Sequence, residues 1–152
     1  MRGYTTRAFG SRDSRTGRKF VGVAPYERFE AWNQAHQLAL AVYRVTQSFP
    51  RHELYGLTSQ ARRAAFSVAA NIAEGSAKRG GREFARFLDI ALGSLSELSY
   101  ILLLVRDLEL LPRAEWDELD RIYTNASKTT WGLYSAVRRN AGRITHANRP
   151  TA

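Results

Sequence analysis

The chain has 152 residues, with 23 Lys+Arg against 14 Asp+Glu and a formal net charge of +9 at pH 7. Its length suits one domain with its own core, and 44% hydrophobic with 24% charged residues is the composition of a globular chain. The absence of cysteine excludes disulfides, thiolate metal sites and cysteine nucleophiles, and three histidines (His36, His52, His146) leave an imidazole metal site few ligands.

The positive lead is the excess of base, and it is uneven. Residues 1–28 hold seven bases and two acids, 29–112 nine and eight, and 113–152 seven and four, so the segments carry +5, +1 and +3. Inside the middle, 51–86 has seven bases to three acids, whereas 87–120 has two to eight. Such asymmetry attracts nucleic acid to the basic surface or lets copies of the chain dock through unlike faces. Solvated helix faces without a partner would carry the same counts.

Residues 1–28 read as a disordered basic arm. Arg2, Arg7, Arg12, Arg15, Arg18 and Lys19 alternate with glycines, Ser/Thr and the rings Tyr4, Phe9 and Phe20. Arginines mixed with aromatics suit single-stranded nucleic acid, with cation on phosphate and ring on base; a floppy extension would look the same. No apolar stretch follows the first basic residue, as a secretory signal requires, and no uninterrupted apolar run approaches the ~18 residues of a membrane span. A cytoplasmic protein without membrane contact is expected.

Beyond Pro25 the pattern turns helical. Trp32, Ala35, Leu38, Ala39, Val42, Val45 and Phe49 recur at steps of three and four, and Pro50 forbids continuation, so a first helix is expected over 29–48. A second opens with Thr58 or Ser59 as N-cap and ends near Gly75. Its alanines, with Phe66, Val68 and Ile72, surround most of the cylinder, leaving Gln60, Arg63, Ser67, Asn71, Glu74 and Lys78 as one polar stripe. A helix apolar on most sides is buried on most sides; in so small a protein that points to a neighbouring subunit. After Gly80-Gly81, a third helix over 82–109 carries one stripe from Phe84 to Val105 and a second at Ile90, Ile101, Leu104 and Leu108. Pro112 suits the first turn of a fourth, whose seam is Trp116, Leu119, Tyr123, Ala126, Thr130, Leu133 and Val137. The expected organisation is an arm over 1–28, an all-α, antiparallel up-down four-helix bundle over 29–141, and a flexible basic tail over 142–152.

An ordered set of motifs runs along the chain: Trp32, Ala35, Leu38, Tyr43, Thr46-x-x-Phe49-Pro50, Glu53-x-x-Gly56-Leu57, Gln60-x-Arg62-Arg63-Ala64, Ser67, Asn71-Ile72-Ala73-Glu74-Gly75, and Glu83-Phe84-x-x-Phe87-Leu88-x-Ile90-Ala91-x-Gly93-Ser94-x-x-Glu97-Leu98. The set resembles the bacterial four-helix bundle proteins encoded in intervening sequences of 23S ribosomal RNA genes, covering 29–111 well and the fourth helix loosely. The resemblance implies assembly as a homopentameric barrel. It also implies similarity to the accessory variability protein of diversity-generating retroelements, a basic pentamer that binds nucleic acid and a reverse transcriptase. It implies no enzymatic activity and no cofactor, and it does not extend to residues 1–28.

The residues themselves offer two surfaces. Gln60, Arg63, Ser67, Asn71 and Glu74 share one helix face and suit a buried polar network between helices or subunits, since a buried charge requires partners. Arg62, Arg63, Lys78, Arg79, Arg82 and Arg86 are expected around one end of the hairpin of helices two and three, where they would grip phosphates; Arg138 and Arg139 add base late in the fourth helix. Arg63 therefore stands in both readings. Catalytic motifs fail: His52-Glu53-Leu54-Tyr55-Gly56 lacks the second His of a zinc HExxH, and Gly80-Gly81 lacks the spacing and Lys of a phosphate-binding loop. Trp116 and Trp131 read as core or interface, and the carboxylates of 115–120 as the start of a helix.

Overall fold

A computed structural model describes residues 24–147. They form four helices, α1 (Glu30–Val45), α2 (Leu57–Ser76), α3 (Gly81–Asp107) and α4 (Arg113–Ala147), with single 3-10 turns at Pro25–Arg28 and Arg51–Glu53. No strand occurs among the described residues. Residues 1–23 of the expected arm and 148–152 of the expected tail lie outside them.

Helix α1 packs on α2 and α4, and α3 packs on the same two, while neither diagonal pair is in close contact among the described residues. Each helix thus has two neighbours and gives one stripe to a shared core. Leu38 and Val42 come from α1, Val68 and Ile72 from α2, Leu88, Leu95 and Leu98 from α3, and Leu119 and Ala126 from α4, all essentially without solvent exposure. Burial of each leucine, isoleucine or valine among them is favourable by roughly 1.5–3 kcal/mol. The α4 seam is tied to α3 by two polar ring atoms: Trp116 Nε1 donates to the Leu102 carbonyl at 3.1 Å, and the Tyr123 hydroxyl to that of Leu95 at 3.1 Å.

The helix ends differ from the sequence expectation for local reasons. The Thr46 hydroxyl donates to the Val42 carbonyl at 2.8 Å, and α1 gives way to a turn before Pro50. Neither Thr58 nor Ser59 caps α2. The helix starts at Leu57, whose backbone N–H donates to Glu53 Oε2 at 3.1 Å, and Thr58 is buried. A β-carbon on Gly56 would fall 2.7 Å from that carboxylate oxygen, so Glu53-x-x-Gly56-Leu57 is a helix-starting device that also sets a negative charge at the positive end of the dipole. Helix α3 closes with Glu109 in the left-handed region (φ 53°), and the Leu110 N–H returns to the Val105 carbonyl at 3.0 Å. Helix α4 continues to Ala147, past residue 141.

Two faces are apolar without cover. Phe66 is 63% exposed, and Ala69, Ala70 and Ala73 beside it are half-buried. With Tyr26, Trp32, Leu40 and Tyr43 they line a groove of about 430 Å³ between α1 and α2. Helix α3 holds a window of mean hydropathy 1.7, long and apolar enough to cross a membrane, a property that counting unbroken apolar runs does not reveal because Asp89, Gly93, Glu97 and serines intervene. Only 44% of that window is buried, and Ile90, Tyr100 and Leu103 remain exposed. A core helix of a soluble bundle meets the same test.

Candidate nucleic-acid interface and polar stripe

Close packing gathers the α2–α3 turn, the start of α1 and the end of α4. A β-carbon on Gly75 would lie 2.6 Å from Phe87 Cβ and 2.9 Å from Phe84 Cδ2, so only glycine lets α3 begin this close to α2. Gly80, with φ of 93°, reverses the chain between them. The Phe84 ring meets Phe29, just ahead of α1, at 5.4 Å between centroids. A β-carbon on Gly81 would lie 3.2 Å from Ala141 Cβ and 3.6 Å from the Val137 carbonyl oxygen, which sets the last part of α4 against the same turn.

The convergence collects charge. Among residues 27–30, 74–86 and 138–139 there are seven bases (Arg28, Lys78, Arg79, Arg82, Arg86, Arg138, Arg139) and four acids (Glu27, Glu30, Glu74, Glu83). Two bases are already partnered: Lys78 Nζ lies 3.3 Å from Glu74, and Arg86 Nε 3.3 Å from Glu83. Both also flank the Phe87 ring, at 5.1 and 4.8 Å from its centroid. Arg138 Nη1 donates to the Tyr134 hydroxyl at 3.3 Å. Arg79, Arg82, Arg138 and Arg139 are exposed and make no ion pair among the described residues. The sequence-expected set Lys78, Arg79, Arg82, Arg86, Arg138 and Arg139 therefore shares one end of the bundle.

Arg62 and Arg63 do not join it. They lie near the start of α2, sixteen and fifteen residues before Lys78, about 24 Å away along the helix axis. Arg62 Nε donates to Thr46 Oγ1 at 2.9 Å and its guanidinium covers the Tyr43 ring at 5.0 Å, which fixes it on α1. The length of α2 holds them apart from the bases of the turn, although all lie within one basic stretch of sequence.

The polar stripe of α2 divides into a bonded centre and open ends. Ser67 and Ser94 hydroxyls meet at 2.8 Å, joining α2 to α3, and Asn71 Nδ2 donates to the Ser67 carbonyl at 2.8 Å and to its hydroxyl at 3.0 Å. Gln60 and Arg63 are exposed beside Glu97 on the rim of a polar groove of about 450 Å³. Glu74 pairs with Lys78, four residues on, at 3.3 Å.

Arginines in and just after the acid-rich segment pair with its carboxylates: Arg106 with Asp107 at 2.9 Å, Arg113 with Asp117 at 2.7 Å, and Arg121 with Glu118 through two hydrogen bonds of 2.8 and 2.7 Å. That fork, aided by the positive charge, holds the Glu118 carboxyl below the usual glutamate value and raises the Arg121 guanidinium above its own. His36 is exposed and stacks on Trp32 at 5.1 Å. No group of three or more metal-ligating side chains occurs among the described residues.

Residues 27–132 match the model of a family described as 23S rRNA-intervening sequence proteins. The fold is similar to a solved structure from Bacteroides thetaiotaomicron, a protein of unknown function from the S23 ribosomal protein family. The TM-score is 0.63 at 20% identity, covering 68% of this chain and 97% of that one. No curated protein matches the chain.

Proposed function

Since the chain belongs to the 23S rRNA-intervening sequence protein family, we propose that it is a non-enzymatic, homo-oligomeric protein that binds RNA or DNA through the basic end of its bundle. The observation that carries this reading is the gathering of Lys78, Arg79, Arg82, Arg86, Arg138 and Arg139, four of them without a carboxylate partner among the described residues. In it the helices follow an antiparallel up-down order, and five copies form a cytoplasmic barrel. The uncovered α1–α2 groove and the half-buried α3 supply apolar surface for such contacts. Five copies at +9 each would carry about +45, enough for strongly salt-dependent attachment to phosphate.

Fluorescence anisotropy with structured RNA and duplex DNA at two salt concentrations tests the binding. Tight binding at low salt that weakens steeply with added salt is expected, and no binding at low salt overturns it. Deleting residues 1–23, which leaves the turn Pro25–Arg28 and the groove residue Tyr26 in place, should spare assembly while weakening binding; unchanged affinity would leave the arm without a role.

A second reading is a protein–protein adaptor, its unlike charges serving self-assembly and its groove serving a partner such as a reverse transcriptase. The exposed Phe66 beside Tyr43 and Leu40 favours it. Light scattering at low and high salt tests the self-assembly both readings share, which a monomer in both conditions removes, and the anisotropy measurement separates them.

A further inference from the structure

We infer that the outward face of α4 is a stacking platform for single-stranded nucleic acid, with Trp131 as the base-binding ring and Lys128 and Arg138 as phosphate contacts. The inference rests on the nucleic-acid reading above and specifies the form of ligand this surface takes.

Trp131 is 59% exposed, an unusual position for an indole with so much apolar area. Its neighbours are cations. Lys128, Trp131, Ser135 and Arg138 follow steps of three, four and three, which is one face of the helix, and Lys128 and Arg138 are both exposed. Gly132 beside the ring has open space where a side chain would stand. Tyr134 braces the indole at 5.6 Å and is itself covered by Arg138, whose guanidinium lies 5.5 Å over the phenol ring and donates to its hydroxyl.

Charge argues for a polyanion on this face. Asp120 is the last carboxylic side chain of the sequence; from Arg121 onward the chain has bases and no Asp or Glu. The nearest exposed carboxylate before it, Glu118, is held by Arg121. Lys128 and Arg138 are about 15 Å apart along the axis, with the indole between them. An aromatic face flanked by cations takes a base on the ring and its phosphates on either side, with little sequence preference. The face also leads into the basic end, because Ala141, three residues past Arg138, packs on Gly81 beside Arg82. Phe87 offers no second platform: it is 7% exposed and covered by Lys78 and Arg86. The basic end therefore supplies phosphate contacts, and α4 supplies the stack. A duplex, whose bases are already stacked on one another, gains nothing from Trp131.

The test is anisotropy of a labelled, unstructured oligo-uridylate and of a blunt RNA duplex of the same length, using full-length protein and the Trp131→Ala and Trp131→Phe variants, with light scattering on each. Trp131→Ala is expected to weaken oligo-uridylate binding by roughly 5- to 100-fold, to leave duplex binding unchanged, and to be largely rescued by Trp131→Phe. Unchanged oligo-uridylate affinity, or equal loss on both ligands, overturns the platform while duplex binding by the basic end stands. A smaller assembly for Trp131→Ala overturns it in favour of a subunit contact. Failure of the wild type to bind either ligand overturns the broader reading together with it.

Discussion

Gly81, at the start of α3, faces Ala141, near the end of α4, so closely that a β-carbon on the glycine would lie 3.2 Å from the alanine methyl. Sixty residues separate them in sequence, and their approach brings Arg79 and Arg82 to the same end of the described bundle as Arg138 and Arg139.

Gly81→Leu should therefore disturb this end specifically. The new side chain has no room before Ala141 and the Val137 carbonyl, and overpacking of this kind costs about 1–3 kcal/mol. Thermal unfolding should show a lower midpoint, and hydrogen exchange should rise first over residues 137–147.

Arg79 and Arg82 are exposed and free of ion pairs among the described residues, so their charge is available to phosphate. Changing both to Ala should lower nucleic-acid affinity and reduce the slope of log K against log salt by about 1.8 for duplex DNA. Lys78→Ala should have a smaller effect, since the charge removed is already partly offset by Glu74 at 3.3 Å. Titration across a salt series measures both.

Glu109 occupies a left-handed backbone conformation that costs a side-chain-bearing residue about 1–2 kcal/mol. Glu109→Gly should raise stability by roughly 1 kcal/mol, measured by urea unfolding. It should not change nucleic-acid binding, because Glu109 sits after the C-terminus of α3, away from the basic end.

The Thr130 hydroxyl is fully buried without a hydrogen-bond partner among the described residues. Thr130→Val keeps the shape and removes the unsatisfied group, so a gain of about 1 kcal/mol is expected. A higher thermal midpoint with unchanged helicity would show it, and a lower one would mean that the hydroxyl has a partner in solution.

Much of this arrangement is legible in the residues. The three-and-four spacing of apolar positions marks each helix, Pro50 and Pro112 bound two of them, and the ordered motifs from Trp32 to Leu98 identify the family. The bases of the α2–α3 turn stand out because Gly80-Gly81 interrupts the pattern there. Trp131 is harder to read: spacing alone assigns it to the core or an interface, and its 59% exposure beside Lys128 and Arg138 takes it out of the core of its own bundle.

By itself, then, the sequence determined the helices, the main apolar stripe each gives to the core and the sign of the charge, because periodicity and composition are properties of neighbouring residues. Tertiary structure decided which charges meet. It placed Arg62 on Thr46 of α1, turned Glu74 to Lys78, packed Gly75 on Phe87 and carried Arg138 and Arg139 to the turn that holds Arg79 and Arg82. Those pairings depend on helix length and on which helices become neighbours in the core, and that choice is made by the packing of whole faces rather than by any local stretch of chain.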